Sequence, residues 1–74
     1  MTRKHYILIA NALGAELRYV EHGTQAWVST YATARAVAVA LKSDNSRFDE
    51  ARFLEHIRDI AEGTRGLDGK KVAA

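Results

Sequence analysis

Apolar residues recur along the first third of the chain at helical spacing. Tyr6, Ile9, Ala10, Leu13, Leu17 and Val20 follow one another at steps of 3, 1, 3, 4 and 3, which places them on one face of a helix. The spacing predicts a first helix near 3–21, capped by Thr2 and closed by Gly23, a residue free to adopt the left-handed conformation that ends helices. Gly14 interrupts the stripe at a cost of roughly 1 kcal/mol relative to Ala. A close helix contact is the reason to expect it there.

A second helix is predicted near 25–42, with Thr24 as its cap. Trp27, Tyr31, Ala34, Ala38 and Leu41 step by 4, 3, 4 and 3, and Val28, Ala32, Ala36 and Val39 form a second stripe. A helix apolar on two sides is expected at the centre of its domain. Residues 36–41 also fit a short buried strand by period alone. Alanine is the best helix former and a poor strand former, which favours helix.

The third helix is predicted near 50–62, with Phe53, Ile57, Ile60 and Ala61 facing inward and Gly63 as its stop. Asp49 suits its N-cap, because a carboxylate there accepts hydrogen bonds from the free amides of the first turn. Phe48 then falls at N′ and Phe53 at N4, the spacing of a hydrophobic staple. After residue 63 no stripe is present, and 64–74 is expected to be a flexible tail. The reading is thus an all-α, compact three-helix domain over 1–63. The chain has no proline, so nothing breaks these helices internally.

Composition sets bounds on the class. Apolar residues make up 47% of the 74 residues, enough for one small core and against disorder. There is no cysteine, so neither disulfides nor a Cys-ligated zinc supports the fold, and a cytoplasmic setting is the expectation. Self-association, most simply a homodimer, is the remaining common support. The formal charge of +2, from 11 basic and 9 acidic residues, is too mild to announce a nucleic-acid partner. No apolar run is long enough to span a bilayer. Arg3 and Lys4 followed by Tyr6–Ala10 suggest a signal peptide, but Asn11, Glu16 and Arg18 interrupt it.

Candidate chemistry is sparse. His5, His22 and His56 carry no HExxH arrangement. His56 lies beside Glu55 and three residues before Asp59, yet the charge pattern reads as a solvated face. Glu55 and Asp59 share a face, with Arg52 and Arg58 near enough to compensate them. Ser29, Thr30 and Thr33 have no base at a telling distance, and no nucleophile elbow or P-loop is present. No catalytic residue, metal ligand or cofactor site is therefore assigned. A third helix carrying Asp49, Glu50, Glu55, Asp59 and Glu62 is too acidic to lie in a DNA groove. The basic residues gather at the ends instead, as Arg3 and Lys4, and as Arg65, Lys70 and Lys71.

Trp27 and Tyr31 share a helix face. They suit a binding hot spot, but the stripe they occupy assigns them to the core, with Phe48, Asp49 and Phe53 as structural residues. Val28, Ala32, Val37 and Val39 form the candidate protein-interaction surface.

The start Met1-Thr2-Arg3-Lys4-His5-Tyr6 with Ile9, Ala10 and Leu13, the middle Trp27, and the run Asp44 to Phe53-Leu54 resemble small uncharacterised proteins encoded by bacteriophages and plasmids. The resemblance covers about positions 2–57, and its specific part is the DN-x-RFD-x-x-RFL pattern. It implies an accessory protein of a mobile element and supplies no activity or site residue. The expected function is non-enzymatic binding of another, unidentified protein. The alternative is a small helical DNA-binding regulator.

Overall fold

The computed structural model describes residues 3–72. It contains three helices in the order α1 (Arg3–Arg18), α2 (Gln25–Asp44) and α3 (Glu50–Glu62). The cap expected of Thr2 lies outside the described residues, as do residues 73 and 74 of the expected tail. The stretch 36–41 is helical throughout.

Local chemistry accounts for the helix ends. Thr24 caps α2 by accepting a hydrogen bond from the Trp27 amide at 3.2 Å. Asp49 caps α3 by accepting from the Arg52 amide at 3.0 Å. Gly63 closes α3 in the left-handed region, at φ 86°. α1 stops at Arg18, three residues before the expected end. There the amides of Tyr19 and Val20 bond to Glu16 and Leu17, three residues back, tightening the chain out of the α-helical pattern. Val20 still packs against the core, while Tyr19 is exposed. α2 runs two residues beyond its expected end and is closed by the Asn45 amide bonding to Leu41 O.

The α2–α3 corner is the most heavily fixed joint. The Phe48 and Phe53 rings meet edge to face with centroids 5.2 Å apart, the geometry of the staple. Tyr6 extends the cluster from α1, 4.8 Å from Phe48, and its hydroxyl accepts from Asn45 Nδ2 at 3.2 Å. Lys42 Nζ donates to the Ser46 and Phe48 carbonyls at 2.7 and 3.1 Å. A loop that carries both backbone and aromatic anchors fixes the exit of α2 and the entry of α3 together.

The core is built mainly between α1 and α3. Ala10, Gly14 and Leu17 of α1 are buried against Phe53, Ile57 and Ile60 of α3. Gly14 serves as the point of close approach: a Cβ there would lie 2.7 Å from Ile60 Cβ. The expectation of a central α2 is therefore corrected. α2 buries one stripe, with Ala34 and Ala38 fully inside and Trp27, Tyr31, Val37 and Leu41 partly so. Its second stripe faces solvent. With Gly14 letting α1 and α3 meet directly, no space is left between them for a third helix.

Residues 64–72, read from the sequence as a flexible tail, fold back on α1 and α3. Arg65 pairs with Lys71 in an isolated antiparallel bridge, and the Val72 amide bonds to Thr64 O. Gly69, at φ 84°, is buried at the turn. Arg65 Nη1 donates to Gly69 O at 2.8 Å and its Nε reaches Asp59 at 3.3 Å. These bonds join residues with no common period, so the docking has no stripe to announce it.

Candidate interaction surfaces on α2

Half of α2 is covered and half is bare. Val28 and Val39 are 52% and 60% exposed, and Ala32 and Ala36 between them are exposed too. These four lie along one side of the helix. The charged residues of α2 are Arg35, Lys42 and Asp44; Arg35 is exposed on this same side, seven residues after Val28 and four before Val39, and Lys42 follows Val39 by three. Val37 departs from its expected place. It is partly buried and packs against the core, because it falls on the opposite side of the helix from Val28.

Two hydroxyls of this helix bond to its own backbone. Thr30 donates to Ala26 O at 2.8 Å and Thr33 to Ser29 O at 3.1 Å. Bonds of this kind satisfy the hydroxyl locally.

Trp27 and Tyr31 stand at the edge where α2 faces α3. Their rings are stacked, with centroids 5.3 Å apart and planes inclined by 11°. His22 meets Trp27 edge-on at 4.5 Å. Both side chains are partly buried and pack on the core, yet they also line two adjoining hollows. One is bounded by Leu17, Val20, His22, Trp27 and Ala61, the other by Tyr31, Ala51, Leu54, Glu55 and Asp59. Arg58 and Glu62 belong to both, so the hollows form one groove along the α2–α3 seam. The spacing of Glu55, Arg58 and Glu62 on one side of α3 was a usable signal for its rim. The participation of Val20 and Leu17 was not, since it depends on how the α1–α2 turn lies.

His56 is not on the solvated face expected of it. It is partly buried, and its Nε2 lies 2.7 Å from Asn11 Oδ1. A carbonyl oxygen accepts, so Nε2 carries the proton in this contact. Asn11 Nδ2 donates in turn to Asp68 O at 3.2 Å, so the pair ties α1, α3 and the folded-back segment together. Burial, and then the nearby Arg65 charge, lower the His56 pKa from its ordinary 6.5, opposed by Asp59. Asp59 is partnered by Arg65 rather than by Arg52 or Arg58, and Arg58 pairs with Glu62 at 3.5 Å. No group of three or more His, Cys, Asp or Glu side chains suited to a metal ion occurs among the described residues. No helix among them is long and apolar enough to cross a membrane.

No family model, no curated protein and no solved structure matches this chain.

Proposed function

We propose that this is a small, non-enzymatic accessory protein of a phage or other mobile element, acting by binding another protein in the cytoplasm of a bacterial host. The observation that carries the reading is the bare side of α2, where Val28, Ala32, Ala36 and Val39 are exposed, with Arg35 the charge beside them. Exposed apolar surface of this kind marks association sites more often than it serves a monomer. The mobile-element context rests on the resemblance of the DN-x-RFD-x-x-RFL run alone.

A homodimer is one form this association takes. Val28, Ala32, Ala36 and Val39 read the same in both directions, large at the ends and small in the middle. In a two-fold antiparallel pairing centred on this stripe, Val28 of one copy faces Val39 of the other. The small alanines at its centre would let two helices approach closely.

Capture from host extract with the full chain and with a Val28→Asp/Val39→Asp variant tests the reading. A partner, or a second copy, retained by the parent and lost by a variant of equal melting temperature supports it. Tight, sequence-selective binding to duplex DNA at physiological salt refutes it and favours the regulator. A turnover abolished by His56 or Glu55 substitution in a folded variant refutes it as well.

A further inference from the structure

The groove between α2 and α3 combines an apolar wall with an acidic rim. Trp27 and Tyr31 stack along one side. Leu54 and Ala61 line the other from α3. Three carboxylates, Glu55, Asp59 and Glu62, stand on this rim, faced by Arg58 on the rim itself and by Arg65 behind Asp59. The chain as a whole has the opposite balance, at +2.

These charges are not equally engaged. Asp59 is held by Arg65 in a largely covered pair. The Arg58–Glu62 pair is 3.5 Å long, with both side chains more than half exposed. An exposed pair of that kind contributes little and exchanges readily for a new partner. Glu55 has no ion-pair partner among the described residues.

We infer that this groove is the docking site for a segment of a partner protein that carries an apolar or aromatic side chain beside Lys or Arg. The apolar side chain seats against Trp27, and the basic one pairs with Glu55 and Glu62. The inference rests on the protein-binding reading above and names a second surface and the chemistry of its occupant. Aromatic residues in a half-covered setting are the usual anchors of such contacts. Rim carboxylates set the preference for a basic segment and the speed of encounter.

Selection of a random-peptide display library on the full chain, at physiological salt, tests this. Peptides in which an apolar or aromatic residue adjoins Lys or Arg are expected to be enriched. Titration of a synthetic copy is read by the fluorescence of Trp27, the only tryptophan in the chain. A Glu55→Lys/Glu62→Lys variant with an unchanged melting temperature should bind it about tenfold more weakly, and added salt should weaken binding to the parent. Absence of enrichment, enrichment of acidic peptides, or equal binding to the charge-reversed variant overturns the inference. So does a Trp27 signal that follows protein concentration alone and resists competition by peptide, which would give the groove to a second copy. The Val28→Asp/Val39→Asp variant separates the two readings. If it keeps peptide binding but loses its captured partner, both stand. If it captures as the parent does while peptides still bind the groove, only the bare face of α2 is refuted.

Discussion

Gly14 of α1 lies directly against Ile60 of α3: a Cβ on Gly14 would sit 2.7 Å from Ile60 Cβ and 2.9 Å from its Cγ2. Both distances are below what packed side chains tolerate, and Ile60 is fully buried with nowhere to turn. Exposed helical glycines gain about 1 kcal/mol on replacement by alanine. Here the overpacking cost of roughly 1–3 kcal/mol exceeds that gain. Gly14→Ala should therefore lower the melting temperature, by about 4–8 °C for each kcal/mol lost in a domain of this size. A raised melting temperature would show that α1 and α3 slide apart freely.

The aromatic corner is the second stability test. Phe48 and Phe53 are each 6% exposed and in contact. Phe53→Ala should cost about 3–5 kcal/mol, a large part of the stability of any small domain. Asp49→Ala removes one capping bond and should cost about 1 kcal/mol. Urea titrations of the two variants check the order. Equal losses would mean that the staple adds nothing to the cap.

Acidification should loosen the fold through His56. Its folded-state pKa is lowered from 6.5, first by burial and then by Arg65. A lowered value means that the folded protein favours the neutral ring. The stability this contributes is complete above the unfolded pKa and falls as pH drops through 6.5 towards the folded value. The urea midpoint should decline between about pH 7.5 and 5.5, and His56→Gln should flatten that decline. An identical pH profile in the variant would remove His56 as the cause.

The segment that His56 helps to hold has its own test. A Cβ on Gly69 would meet Asn11 Oδ1 at 2.5 Å, and the backbone there has φ 84°. Gly69→Ala should release residues 64–72 while leaving the helix content unchanged. Faster amide exchange confined to this segment and to its Asn11 contact is the expected result. Loss of helical signal would show instead that the segment is needed for folding.

Self-association through α2 is expected at high micromolar concentration. Light scattering should give a mass above the monomer that falls on Val39→Asp. Because Val39 is exposed, the substitution should change monomer stability by no more than about 0.5 kcal/mol. A monomeric parent at that concentration excludes the homodimer.

What could be read from the sequence was mostly local. The Thr24 and Asp49 caps, the Phe48–Phe53 staple and the Gly63 stop all involve residues within a few positions of each other. Their spacing encodes the contact. The two stripes of α2 were equally visible, but period alone does not say which stripe a neighbour covers. That depended on Gly14 and Ile60 meeting across the chain. The bonds of Asn11 to His56 and to Asp68 span 45 and 57 positions. Polar pairs at such separations leave no periodic trace, so His56 read as a surface residue and the segment after Gly63 as a tail. The stripe assigns Trp27 and Tyr31 to the core, and the structure covers both in part, while the groove they edge depends on the angle between two helices.

The principal pairing of α1 with α3 joins the first helix to the last, and this bears on how the domain comes to be. Residues 19–49 form a loop that must close before the main core exists. The entropy of closing such a loop grows only slowly with its length, but it falls due before the contacts that reward it. Folding should accordingly be slower than in helical domains whose neighbouring helices zip in sequence. During synthesis α1 and α2 emerge with little mutual surface to bury, and the chain acquires its core only when α3 has cleared the ribosome.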